Sequence, residues 1–86
     1  MRFRMSQHVE EELRRRRIPR EALEQVPESP QQVIEEREGR KAYQSQVALE
    51  EGKLYLLRAT VLDAVEPALV VTAYRTSRIR KYWRES

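Results

Sequence analysis

The hydrophobic pattern of this chain changes its period once, near residue 31. Before that point apolar residues recur at a spacing of four, as at Met5, Val9 and Leu13, which predicts an amphipathic helix. After it, apolar and polar residues alternate along stretches separated by Glu-Gly pairs at 38–39 and 51–52, which predicts strands joined by tight turns. A chain that is helical first and extended afterwards can bury one face of a sheet only beneath its helices.

Capping residues and prolines divide the helical part into two. Ser6 is a good N-cap, and the glutamates that follow it precede a run of four arginines, as a helix dipole favours. Proline begins helices well and ends them abruptly. We therefore expect helix one over residues 7–17, and helix two from Pro19 to Val26, where Pro27 ends it.

The extended part predicts strands over residues 33–36, 41–49, 53–62 and 68–75. Because the links between them are short, successive strands should pair antiparallel. The predicted fold is an α+β domain in which two N-terminal helices pack on a four-stranded antiparallel sheet, and residues 1–86 form one domain.

Composition excludes several classes of protein. The chain of 86 residues has no cysteine and one histidine, so we expect no disulfide, no metal site and no cofactor. Its two glycines cannot build a glycine-rich phosphate loop. No apolar run approaches the length of a membrane span, and no apolar segment resembles a signal peptide, so we expect a cytoplasmic protein that does not associate with a membrane.

The most distinctive stretch is the last third of the chain. Between residues 72 and 84 there are five basic residues, no acidic residue, and the rings of Tyr74, Tyr82 and Trp83. Cations neutralise phosphates and rings stack on bases, so the stretch suits RNA, although a solvated strand end with a small aromatic core has the same composition. Alternation also predicts that Arg58, Thr60, Thr72 and Tyr74 project from the face away from the helices. Either Arg58 pairs there with a carboxylate such as Glu35, or it lines a binding surface.

Four short motifs occur in order along residues 5–83: Ser6-Gln7-His8, Arg16-Arg17-Ile18-Pro19, Val71-Thr72-Ala73-Tyr74-Arg75 and Lys81-Tyr82. Their order and spacing resemble a broad family of prokaryotic RelE-like proteins, within the RelE/BrnT superfamily of small ribonuclease toxins. Three positions depart from the family pattern: Glu12 stands where an arginine is usual, Arg17 where a glycine is usual, and Pro27 where a leucine-like residue is usual.

The resemblance implies a metal-independent endoribonuclease, an mRNA interferase of a type II toxin–antitoxin system, with RNA and a cognate antitoxin as partners. In that reaction the ribose 2′-OH attacks the adjacent phosphate. Histidine is the residue type that exchanges protons near neutral pH, so His8 is the candidate general base or acid. The candidate catalytic residues are His8, Arg58, Arg75 and Tyr82, and the candidate RNA-binding residues are Arg16, Tyr74, Arg78, Arg80 and Lys81.

Two other functions are compatible with the same residues. One is a non-catalytic RNA- or protein-binding module, and the other is an interaction domain whose basic tail docks an acidic partner. For the tyrosines the alternative to function is core packing, and for the tail cations it is simple exposure.

Overall fold

The computed structural model describes residues 2–85, and within that range it contains five strands and three helices. In chain order they are β1 (Phe3–Met5), α1 (Gln7–Arg15), α2 (Arg20–Glu28), β2 (Gln32–Glu35), β3 (Arg40–Ala48), β4 (Leu54–Leu62), β5 (Ala68–Thr76) and α3 (Ile79–Tyr82). A short 3-10 turn, Glu50–Gly52, joins β3 to β4.

The sheet has the order β1-β5-β4-β3-β2. Strands β2 to β5 pair antiparallel with their neighbours along the chain, as the short connections predict. The predicted four-stranded antiparallel sheet is nevertheless wrong, because β1 adds a fifth strand that runs parallel to β5, with Phe3 opposite Ala68. A three-residue strand whose partner is 65 positions away leaves almost no local signal in a sequence, and a parallel pair has no connecting turn to mark it.

The helical part also differs from the expectation at its ends. The chain enters through β1 before α1 begins, and a third helix, α3, follows the sheet. Pro27 does not end α2, which continues to Glu28 with the Pro27 ring buried. A proline in the last turn of a helix forfeits only one backbone donor, and its fixed φ is already helical, so packing decides where the helix stops.

The two ends of α1 follow capping rules. The Ser6 side chain accepts the N–H of Val9 at 3.2 Å, which confirms the predicted N-cap. At the other end the N–H of Ile18 donates to the carbonyl of Leu13 and that of Arg17 to the carbonyl of Arg14, which is a Schellman motif. Arg17 takes the left-handed conformation that this motif requires, with φ 55°. Glycine is the residue that adopts it without strain.

α1 and α2 cover one face of the sheet, which we call the covered face. Its core includes Val9, Leu23, Leu57, Val61 and Val70, each with no exposed surface. Arg58 and Thr60 alternate with these residues along β4 and lie on the opposite, open face, as predicted.

The phase of β5 is different from the prediction in its first half. The register with β4 shifts between Thr60 and Val61, which leaves Val71 without a partner, as in a β-bulge. The side chains that pack into the core are therefore Val70 and Ala73, three positions apart. Strict alternation places Leu69 and Val71 on the same face as Ala73, and the extra residue is why this pattern is wrong for the first half of β5.

Candidate nucleic-acid interface

The edge of β5 is where α1 meets the open face, and a buried carboxylate joins them. β1 pairs with β5 only from Ala68 to Val70. Further along the same edge, Oε1 of Glu12 takes the place of a strand partner by accepting the N–H of Ala73 at 3.1 Å. The other carboxylate oxygen, Oε2, accepts from Arg16 Nε at 3.0 Å and from Arg15 at 3.3 Å.

The surroundings of Glu12 keep it ionised. Burial raises its pKa, but the hydrogen bonds from Ala73 and Arg16 and the charges of Arg16 and His8 together outweigh burial, so the pKa of Glu12 is lowered from its usual value. Glu12 therefore has a structural role in this chain: it replaces a missing strand and gathers cations at the sheet edge.

Beyond Glu12, two arginines and two tyrosines contact one another in series and form what we call the arginine–tyrosine row: Arg16, Tyr74, Tyr82 and Arg58. The Arg16 guanidinium lies 5.2 Å from the Tyr74 ring centre, the two tyrosine rings meet edge to face at 6.0 Å, and Arg58 stacks on Tyr82 at 4.4 Å. Cation–π contacts of this kind hold planar guanidinium groups flat while leaving N–H donors at their edges. The row thus brings together four residues that the sequence analysis had selected.

The row depends on a polar network that holds the end of the chain on the open face. The amide of Gln44, which is fully buried, accepts from Arg58 Nε at 2.8 Å and donates to the carbonyl of Tyr82 at 3.3 Å and to Gln32 at 2.7 Å. Gln32 in turn exchanges two hydrogen bonds with the backbone of Arg84. Leu56 also has no exposed surface although it points away from α1 and α2, so the segment after β5 covers this part of the open face.

No family model, curated protein or solved structure matches the chain significantly. The resemblance to RelE-like proteins therefore stays a hypothesis that rests on the four motifs alone.

The charges of the row are unequally balanced. Arg16 is neutralised by Glu12, whereas the nearest carboxylate to Arg58, that of Glu36, is 3.8 Å from its NH2 group. Around Tyr82, the side chains of Arg78, Arg80 and Lys81 are exposed and make no ion pair with any residue in the range 2–85. Positive charge therefore dominates at the α3 end of the row, and the Lys81 ammonium lies 5.5 Å from the Tyr82 ring.

Arg75 is not part of the row. It lies opposite Leu57 in the β4–β5 register, so its side chain is on the covered face, whereas Tyr74 and Arg58 are on the open face. Its NH1 group donates to the carbonyl of Arg17 at 3.1 Å and to Glu50 at 3.0 Å, and its guanidinium stacks on Tyr55 at 4.7 Å. The structure does not bring Arg75 together with Arg58, so the two cannot hold one phosphate in this conformation.

His8 lies on the same stripe of α1 as Glu12 and Arg16. Its side chain is 57% exposed, and Nε2 is 3.3 Å from Oε1 of Glu12. The eight residues from His8 to Arg16 correspond to about 12 Å along the helix. His8 is therefore accessible and oriented by a carboxylate, but it stands at the opposite end of the row from Arg58.

A polar groove of about 550 Å³ continues from the row across the open face. Thr60 and Thr72, which pair directly in the register, are two positions from Arg58 and Tyr74 on their strands and share their face. The groove is lined by Thr60, Thr72, Glu36, Arg37, Glu38 and Arg40. The two threonines were predicted to project here, but the four charged residues of the β2–β3 turn were not assigned to any site.

Sequence reasoning also missed Gln32, Gln44 and Glu12. The available signal was a polar run, 44–46, inside a nine-residue strand, since a buried polar side chain in a strand needs a partner. Glu12 gave no such signal, because a glutamate on a helix is ordinarily solvated.

Two general findings complete the description. Among residues 2–85 no helix is long and apolar enough to cross a membrane. Within the same part of the chain, histidine and carboxylate side chains do not come together in a group of three or more that could hold a metal ion.

Proposed function

We propose that this protein binds single-stranded RNA along the arginine–tyrosine row. The observation that carries the proposal is the row itself, in which two tyrosine rings in edge-to-face contact lie between two guanidinium planes. Rings and guanidinium planes are the groups on which unstacked bases lie, and arginine N–H donors bind phosphate in pairs. A base can enter such a series only when it is unpaired, which favours single strands over duplexes.

The charge around the row supports the same conclusion. Arg78, Arg80 and Lys81 are exposed beside Tyr82 without an ion pair within residues 2–85, whereas Arg58 forms a long ion pair with Glu36 at 3.8 Å. Cations that are not neutralised by the protein are those that release counterions from a nucleic acid on binding, which gives affinity without a dependence on sequence.

The test is a binding titration by fluorescence anisotropy with a labelled RNA of about 12 nucleotides, within the range of known single-stranded site lengths. We expect binding to single-stranded RNA to exceed binding to the corresponding duplex. Replacing Arg78, Arg80 and Lys81 together by glutamine should lower the slope of log K against log salt by about 2, since each contact with a single strand contributes about 0.7.

Arg14→Gln is the matched control, because Arg14 is an equally exposed arginine of α1 that is not in the row. Its expected effect on affinity is small. If Arg14→Gln weakened binding as much per charge as the triple variant, or if duplex and single strand bound equally, attraction to net charge would replace the row as the explanation.

RNA cleavage by 2′-OH attack is the second candidate, and the exposed imidazole of His8 favours it. A base would take the 2′-OH proton, the 2′ oxygen would bond to phosphorus, and the 5′ oxygen would leave with a proton from an acid, giving 2′,3′-cyclic phosphate and 5′-OH ends. His8 is the candidate for one of these proton transfers, and Arg58 and Tyr82, at the other end of the row, would hold a more distant part of the same strand. In a toxin–antitoxin pair, an acidic antitoxin would compete with RNA for the row.

Cleavage is tested with an RNA incubated in EDTA, with the product ends analysed by mass spectrometry. We expect cyclic phosphate ends, no cleavage next to a 2′-deoxy residue, and a rate lower by about 10² or more in His8→Ala. RNA that is bound tightly but stays intact would exclude cleavage and retain the binding function. Unimpaired cleavage by His8→Ala would exclude His8 from the chemistry.

A further inference from the structure

The groove beside the row has a composition that phosphate binding does not explain. It presents two carboxylates, of Glu36 and Glu38, and two guanidinium groups, of Arg37 and Arg40, above the threonine pair on the sheet. Two carboxylates would repel a phosphate, whereas a ligand that offers both hydrogen-bond donors and acceptors could pair with the carboxylates and with the guanidinium groups. Its volume of about 550 Å³ also lies in the range of small-molecule sites.

The charged side chains of the groove are largely free of one another. Within residues 2–85, Arg37, Glu38 and Arg40 make no side-chain hydrogen bond or ion pair, although they lie on one tight turn. Glu36 is engaged only by Arg58, at 3.8 Å. Opposite charges that lie close together without pairing are available to a ligand that satisfies both.

The turn that carries these groups is closed by backbone geometry. Arg40 donates its N–H to the carbonyl of Arg37 at 3.1 Å, and the two central residues, Glu38 and Gly39, both have positive φ, of 60° and 73°. Hairpin turns of this kind favour asparagine or glycine at the position that Glu38 occupies, because a longer side chain is strained there. The same Glu-Gly pair recurs at 51–52, so the strain alone does not mark a site; the groove distinguishes Glu38 from Glu51.

We propose that the groove binds a guanine base of the RNA strand that crosses the row, with Glu38 as the residue that selects it. Guanine carries two adjacent donors, N1–H and the N2 amino group, which one carboxylate accepts together, and two adjacent acceptors, O6 and N7, which suit an arginine. Adenine, cytosine and uracil do not offer two adjacent donors of this kind. The base lies over Thr60 and Thr72, and Arg37 or Arg40 donates to O6 and N7.

This inference rests on the proposed function for its RNA strand, but the groove can be tested separately. We would titrate ¹⁵N-labelled protein with GMP, IMP, AMP, CMP and UMP and follow the backbone amides. GMP should shift the amides of residues 36–40, 60 and 72, and IMP, which lacks the N2 amino group, should bind about tenfold more weakly. Equal responses to all five nucleotides, or shifts confined to other residues, would overturn the proposal.

Substitutions separate recognition from folding. Glu38→Asn should raise thermal stability, because asparagine tolerates the left-handed conformation, and at the same time reduce the preference for GMP over IMP to near unity. Glu51→Asn is the matched control: Glu51 has the same left-handed conformation before a glycine but does not line the groove, so its substitution should raise stability and leave nucleotide preference unchanged.

RNA titrations then join the two proposals. An RNA that contains guanine should bind wild-type protein about tenfold more tightly than one in which inosine replaces guanine, and Glu38→Asn should abolish that difference by lowering the affinity for the guanine RNA. Tight RNA binding with no difference between guanine and inosine would overturn the guanine site and leave the row in place. Selective GMP binding without RNA binding would support the groove and overturn the proposed function.

Discussion

Arg58 and Arg75 are near neighbours in the β4–β5 register, and their side chains are equally exposed, at 19%, yet they lie on opposite faces of the sheet. Each stacks on a tyrosine, Arg58 on Tyr82 at 4.4 Å and Arg75 on Tyr55 at 4.7 Å. Residue type, burial and ring contact therefore do not distinguish them.

The difference lies in what accepts their hydrogen bonds. Arg75 donates to a carboxylate and to the backbone carbonyl of Arg17, and so ties β5 to the corner between α1 and α2. Arg58 donates to a neutral amide, that of Gln44, and its nearest carboxylate is at 3.8 Å. A charge whose hydrogen bonds end on the protein's own anion and backbone stabilises the fold, whereas a charge held by a neutral group remains available to a ligand.

The largest effect on stability should come from Glu12, which holds α1 against the edge of β5. Glu12→Ala leaves the Ala73 N–H without its acceptor and removes the anion that binds Arg15 and Arg16, so we expect the free energy of unfolding to fall by about 3 kcal/mol. Urea denaturation measures this, with the exposed neighbour Glu11→Ala as the control. A loss below about 1 kcal/mol would mean that the edge of β5 is held in some other way.

The same residue predicts a pH dependence. The pKa of Glu12 is lower in the folded than in the unfolded protein, so its stabilisation is present above its ordinary value of 4.5 and is lost as pH falls through the folded-state value. Wild-type stability should therefore fall more steeply below pH 4.5 than that of Glu12→Gln. Asp63, whose pKa is lowered by its hydrogen bond from Tyr43, titrates in both proteins and cancels in the comparison.

Arg75→Gln should affect stability and leave binding unchanged. We expect the free energy of unfolding to decrease by about 2 kcal/mol, because the stacking on Tyr55 and the bond to the Arg17 carbonyl are both lost. Affinity for RNA, measured with fully folded protein, should change by less than about twofold. A tenfold loss of affinity would place Arg75 in the binding site and break the distinction from Arg58.

Arg58→Gln should show the reverse pattern. Removing its charge and its stacking on Tyr82 should weaken RNA binding by about tenfold, which corresponds to about 1.4 kcal/mol. Stability should decrease by only about 1 kcal/mol, since the amide of the glutamine introduced at position 58 can donate to the buried oxygen of Gln44 in place of the guanidinium. Unchanged affinity with a large loss of stability would show that both arginines are structural.

The smallest expected effect on stability is that of a substitution at Arg17, whose backbone carbonyl accepts a hydrogen bond from Arg75. Arg17→Gly should raise the free energy of unfolding by about 1 kcal/mol, because glycine adopts the left-handed conformation without strain. Arg14→Gly, at a regular helical position of α1, should lower it by about the same amount. The carbonyl of residue 17 remains in either protein, so the gain from Arg17→Gly should persist in the Arg75→Gln background.

The sequence by itself determined the features that depend on near neighbours. The N-cap and apolar spacing of α1, the proline that precedes α2, and the alternation and Glu-Gly turns of β2 to β4 are all encoded within a few residues, and each was predicted near its observed position. Alternation also placed Arg58, Thr60, Thr72 and Tyr74 on one face, as the structure has them.

Only the tertiary structure decided the features that join distant segments. β1 pairs with a strand 65 residues away, and Glu12 acts through a backbone N–H at position 73. A single unpaired residue, Val71, reversed the phase of half of β5. Successive side chains of a strand point to opposite faces, so one inserted residue moves every side chain on one side of it to the other face. The docking of α3 on the open face also depends on contacts between distant segments, those of Gln44 and Gln32 with the end of the chain. The same holds for Arg58 and Arg75, because whether a cation is paired depends on the groups that the fold places around it.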